Sequence, residues 1–143
     1  MAAHDDGRVM LITGASTGIG ARTARVAAER GWRVALGART ASKLEGVAAE
    51  IGDRAVALPT DVADFDQQKA LVDAALERFG RLDAAFANAG FGGPRGFLND
   101  TPEHWREMVL TNVYGAALTI RATIPALRAV SYTHLTLPTN REV

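Results

Sequence analysis

The chain has 143 residues, 48% of them hydrophobic, and its 16 basic and 16 acidic side chains cancel to a formal net charge of zero. That balance fits one globular domain with a core of its own and carries no basic footprint for a nucleic acid. Cysteine is absent, which rules out disulfides and thiolate metal sites, and no apolar run approaches the length of a bilayer span.

In chain order, residues 1–7 are polar and acidic, and read as a disordered N-terminus rather than a secretory signal. Arg8–Thr13 is predicted as the first strand. The turn Thr13-Gly14-Ala15-Ser16-Thr17-Gly18-Ile19-Gly20 then opens a helix over Gly18–Arg30. Further strands are predicted over Arg33–Ala38, Arg54–Leu58 and Leu82–Asn88, with helices over Ala41–Ile51 and Asp64–Phe79. The strands are almost continuously apolar, as parallel strands covered on both faces are. Leu71, Ala74, Ala75 and Phe79 form one stripe of the third helix. Thr101 and Pro102 suit the N-cap and first position of a fourth helix, whose buried face is assigned to Trp105, Met108, Val109, Val113, Ala116 and Ile120. Alternation of this kind predicts a doubly wound α/β fold with a parallel sheet.

Composition changes at Ser131. Residues 131–143 contain neither alanine nor glycine and show no useful period. They look like a translated adapter string, or else a divergent natural tail, and no chemistry is assigned to them. The three histidines, His4, His104 and His134, are too scattered for a metal site, so no metal is expected.

A glycine-rich turn between a strand and a helix suits a phosphate, because small residues let the backbone approach and the free helix-start N–H groups point at the anion. Asp61-Val62 follows the third strand, Asn88-Ala89-Gly90 closes the fourth, and Asn112 lies in the helix after it. With the spacing Gly14-x3-Gly18-x-Gly20, this set resembles the short-chain dehydrogenase/reductase family over about residues 8–130. The resemblance implies a Rossmann-type NAD(P)-binding portion, truncated after the fourth strand and its following helix. By resemblance, Gly14, Gly18 and Gly20 turn under the pyrophosphate, with Ser16, Thr17 and Ile19 beside the cofactor. Asp61 accepts from the adenine amino group, or else only caps the next turn, and Val62 is an apolar wall. Asn88 reaches across to the first strand near Thr13, while Ala89 and Gly90 leave room for ribose. Asn112 sits at a helix distortion and holds a proton-relay water, or is a plain surface asparagine.

Cofactor choice turns on Gly37-Ala38-Arg39-Thr40, where no carboxylate is present to grip a ribose 2′-hydroxyl. Arg39 could form charge-assisted bonds to a 2′-phosphate, with Thr40 adding a hydroxyl, so NADP is expected over NAD. The alternative is an ordinary surface arginine. Thr17 stands where many NADP-preferring relatives carry a second basic residue.

The family's Tyr-x-x-x-Lys pair is missing: Arg39 and Phe65 stand four positions before Lys43 and Lys69, and Tyr114 and Tyr132 are followed by Leu118 and Thr136. Of the family's catalytic residues only Asn112 is present. The reading is therefore the cofactor-binding part of a cytoplasmic NADP(H)-preferring oxidoreductase interconverting an alcohol and a carbonyl, catalytically incomplete as written. The alternative is a non-catalytic NAD(P)-binding sensor or pseudoenzyme. The full-length parent would act on a small-molecule alcohol or ketone as a homodimer or homotetramer, with no nucleic acid or membrane partner. The glycine-rich loop of residues 91–99 reads as the substrate mouth or as a plain connector.

Overall fold

A computed structural model describes residues 7–93 and 96–130. Residues 1–6 of the N-terminal segment, Pro94 and Arg95 in the loop, and the whole segment 131–143 lie outside the described residues. Four parallel strands form one sheet in the order β3-β2-β1-β4: β1 Val9–Thr13, β2 Arg33–Ala38, β3 Ala55–Pro59 and β4 Ala84–Phe86. Between them run α1 Gly18–Glu29, α2 Ala41–Ile51 and α3 Phe65–Phe79, and after β4 come α4 Pro102–Val109 and α5 Ala116–Val130.

Successive strand residues point to opposite faces, and both faces of the central strands β1 and β2 are covered, while β3 and β4 are only partly buried, with Ala85 exposed. Ile12, Val34 and Leu36 pack with Ala24, Leu44 and Val47 under α1 and α2. Val9, Leu11 and Ala35 pack with Leu71, Val72, Ala75 and Ala126 under α3 and α5. Burial of each such leucine, valine or isoleucine contributes about 1.5–3 kcal/mol. This double cover is why the strands lack polar alternation.

Local chemistry moved the boundaries by a few residues. Asp64 caps α3, its Oδ1 accepting from the Asp66 and Gln67 amides, so the helix proper starts at Phe65. Arg54 ends a short 3₁₀ turn, which delays β3. Only three residues of the predicted Leu82–Asn88 strand pair as β4; at its ends Asp83 bonds to Val9 through both its backbone N–H and its side chain, and Asn88 bonds to Thr13 through its side chain.

The expected buried face of the fourth helix is corrected. Trp105, Val109, Val113 and Ile120 are exposed, Met108 and Ala116 are only half-buried, and Leu118, Thr119, Ala122, Thr123 and Ala126 face inward instead. Small residues let α5 sit close against α3. The two buried threonines satisfy their hydroxyls internally: Thr123 Oγ1 donates to Thr119 O at 2.8 Å, and Thr119 Oγ1 lies 2.9 Å from both Gly115 O and Gln68 Oε1, which share its one proton. The apolar stripe seen in the sequence is real, but this chain leaves it facing outward. The helix is also not continuous: Leu110–Gly115 winds as a π-turn between α4 and α5. No described helix is long and apolar enough to cross a membrane.

At the N-terminal edge of the sheet, Asp83 ties β1 to β4. Its Oδ2 accepts from the Val9 N–H and from Arg81 Nε, each at 2.9 Å, while Arg81 Nη2 reaches Oδ1 at 2.5 Å. Burial pulls the Asp83 carboxyl up, but the Arg81 and Val9 bonds outweigh it and hold it below the usual carboxylate value. A group depressed by folding stabilises the native state above its unfolded pKa, about 3.9, and loses that contribution as pH falls through the lower folded value. Asp83→Asn should therefore cost about 1 kcal/mol at neutral pH. Urea titrations should show the gap between the two proteins closing below about pH 4; a gap that stayed constant through that range would contradict the assignment.

Candidate cofactor-binding site

The chain steps outward from β1 to β2 and β3, then crosses back over β1 to place β4 on the other side. In open α/β sheets such a reversal leaves a crevice at the carboxyl ends of the strands. A cleft of about 680 Å³ lies there, within the roughly 300–1,000 Å³ of ordinary ligand sites. Its lining includes Gly14, Ser16, Thr17, Gly18, Ile19, Arg39, Thr40, Asp61, Val62, Asn88, Ala89, Gly90 and Asn112. Of the candidate residues, only Gly20 does not line it.

The glycines of the first turn divide by what a side chain would meet. A Cβ on Gly20 would lie 2.2 Å from Gly14 O, and one on Gly14 would lie 2.8 Å from Ala89 Cα. Those two are required by backbone packing. Gly18 has φ +54° with open space where its Cβ would project, so its conformation and the cleft in front of it are what demand glycine. It is the first residue of α1, Thr17 makes no side-chain cap, and no acidic residue stands in the first turn. Among the described residues the amides of Gly18, Ile19 and Gly20 have no acceptor, whereas Ala21 N already donates to Thr17 O. Ile19 holds its side chain 72% exposed at the mouth. Unpaired amides at a positive helix end beside open space fit an anionic group.

Arg39 and Thr40 stand exposed where β2 ends and α2 begins, and Lys43 joins them in the cleft lining from the first turn of α2. Thr40 makes no side-chain cap to α2, whose first turn also lacks an acidic residue. Lys43 is a site residue that the sequence reading missed, although a second cation one turn beyond Arg39 was visible as Arg39-x-x-x-Lys43. On the next strand end, Asp61 Oδ1 accepts from Ala63 N at 2.9 Å, an Asx turn, while its Oδ2 has no hydrogen-bond partner among the described residues. Both readings of Asp61, as a turn cap and as an acceptor toward the cleft, are thus compatible with one carboxylate. Val62 is buried beside it.

On the far wall, Asn88 Nδ2 donates to Thr13 O at 3.1 Å and Gly14 O at 3.3 Å, and the amides of Asn88 and Ala89 both donate to Thr13 Oγ1. This clasp joins the exits of β1 and β4. Asn112 occupies the π-turn, with its Oδ1 accepting from Phe91 N at 3.0 Å and its Nδ2 donating to Phe91 O at 2.8 Å. In this structure its side-chain amide holds Phe91, a further lining residue, and Gly90 supplies the clearance, since a Cβ there would be 3.0 Å from Asn112 Oδ1.

A model of the short chain dehydrogenase family matches residues 8–133. The chain is 41% identical over 114 residues to a cis-4-hydroxycyclohexanecarboxylate dehydrogenase of Sinomonas cyclohexanicum, covering 78% of this chain and 46% of that protein. It is similar to the crystal structure of a 3-ketoacyl-(acyl-carrier-protein) reductase from Brucella melitensis complexed with NADH, with a TM-score of 0.82 and 38% identity over 86% of this chain and 51% of that one. It is also similar to an alcohol dehydrogenase from the archaeon Thermococcus sibiricus complexed with 5-hydroxy-NADP, with a TM-score of 0.79 and 34% identity over 85% and 54%. The chain spans about half the length of the curated relatives it matches.

Proposed function

Since this chain belongs to the short chain dehydrogenase family, we propose that it is the coenzyme-binding part of an NADP(H)-preferring oxidoreductase that interconverts an alcohol and a carbonyl. A nicotinamide cofactor suits the cleft, and such a cofactor supplies or accepts the hydride when bound. The amides of Gly18, Ile19 and Gly20 hold the diphosphate. Asp61 Oδ2 and Val62 take the adenine, Ala89 and Gly90 admit ribose, and Asn112 fixes Phe91 in the lining. Preference for the phosphorylated coenzyme rests on one observation: two cations, Arg39 and Lys43, and no carboxylate line the cleft at the end of β2.

The 143 residues bind coenzyme without turning over substrate, because neither lysine follows a tyrosine by four positions. A positioned general acid is typically worth about 10²–10⁴-fold in rate. We place the protein in the cytoplasm, and the outward stripe on α4 and α5 is the surface that a second copy would cover in the whole enzyme.

Fluorescence titration with NADPH and NADH tests the reading. One added charge-assisted contact to the 2′-phosphate should make NADPH tighter by about tenfold or more. Equal or tighter NADH binding would overturn the NADP preference, and binding of neither would overturn the site.

A further inference from the structure

The buried stripe of α3 carries one side chain that its apolar neighbours do not explain. Gln68 is 2% exposed and shares the inward face with Leu71, Val72 and Ala75. An amide placed among hydrocarbon is costly unless its groups are paired. Here they all are. Nε2 donates to Val62 O at 2.8 Å and to Gly115 O at 3.0 Å, while Oε1 accepts from Thr119 Oγ1 at 2.9 Å.

The two carbonyls belong to different segments that border the cleft. Val62 is part of its lining. Gly115 closes the π-turn whose Asn112, also in the lining, grips Phe91. The segments also touch directly, since a Cβ on Gly115 would lie 2.5 Å from Val62 Cγ2. One amide nitrogen therefore staples the loop after β3 to the π-turn, behind the lining and out of reach of any ligand.

We propose that Gln68 is a positioning residue: by fixing Val62 against Gly115 it sets the separation between Val62 and the Asn112–Phe91 pair in the lining. It acts on the coenzyme only through them, and its link to coenzyme affinity rests on the function proposed above. Methionine at position 68 would fill the volume and leave Val62 O unpaired. Glutamate would keep the shape, donate one hydrogen bond when protonated, and repel both carbonyls when ionised.

The whole chain is titrated with NADPH, and amide exchange is followed by NMR without ligand. Gln68→Met should weaken NADPH binding about tenfold, because the Val62 and Phe91 parts of the lining are no longer held in place before the coenzyme arrives. The Phe91 amide should then speed up about tenfold more than that of Ala35 in the sheet core, a contrast that global destabilisation alone would not produce. Gln68→Glu should lose affinity relative to the unaltered chain as pH rises from about 6 to about 9. NADPH binding within about twofold for Gln68→Met, with Phe91 exchange unchanged, would overturn the proposal. If Gln68→Met does not fold, a Gln68→Glu affinity ratio independent of pH would overturn it instead. If the unaltered chain binds neither NADPH nor NADH, the proposed function fails, and Phe91 exchange alone decides the role of Gln68.

Discussion

Gly18→Leu should abolish measurable coenzyme binding while leaving a folded protein. The left-handed conformation, φ +54°, costs a side chain about 1–2 kcal/mol. The larger effect lies in front of the turn, where a leucyl group would occupy the space facing the Gly18, Ile19 and Gly20 amides. Each hydrogen bond to a charged acceptor is worth about 1.5–3 kcal/mol, so losing two of them weakens binding by about 10²–10⁴-fold. Gly20→Leu is the informative partner. Its Cβ would strike Gly14 O at 2.2 Å and Asn88 Nδ2 at 2.6 Å, so that variant should lose its cooperative melt altogether. Circular dichroism with NADPH titration separates the two. Gly18→Leu binding as tightly as the unaltered chain would mean that the turn carries no diphosphate.

Reversing the charge at the end of β2 should invert coenzyme preference. Arg39→Asp removes a cation from the 2′-phosphate and puts a carboxylate in its place, where it repels that phosphate and can accept from a ribose hydroxyl. NADPH affinity should fall about 100-fold, the sum of a lost bond and a new repulsion, while NADH affinity holds or rises. Lys43→Ala should act in the same direction and more weakly, about threefold, as an exposed charge does. Added salt should weaken NADPH binding more than NADH binding in the unaltered chain. A loss shared equally by both coenzymes would place Arg39 away from the 2′ position.

What the sequence discloses is local. Val9–Thr13 running into the Gly14-x3-Gly18-x-Gly20 turn fixes a strand, a turn and a helix from neighbouring residues alone, and the alternation that follows fixes the class of fold. The resemblance supplied Asn88 at Thr13 and a distortion around Asn112, and both are present as geometry. Features set by distant partners were not readable. The burial of Gly115, Thr119 and Thr123 depends on how closely α5 approaches α3, and hydrophobicity pointed instead to Trp105, Val109, Val113 and Ile120. The different constraints on Gly14, Gly18 and Gly20 appear only once β4 is in place. Gln68 is an ordinary helix residue in a linear reading, and only the packing of α5 on α3 places it behind the cleft lining, whereas Lys43 was legible one turn beyond Arg39.

The position of β4 also dictates an order of assembly. β1, β2 and β3 pair with their neighbours in sequence, but β4 must return to β1 across 74 residues. Closing so long a loop carries a larger entropic cost than the nearby pairings do. The Asn88–Thr13 clasp should therefore lock late in folding, after the first three strands have docked. Pulse-labelled amides of Ile12 and Leu36 should gain protection before that of Asn88. A small molecule bridging both halves would then act on this final step, raising the yield of native chain and slowing its unfolding.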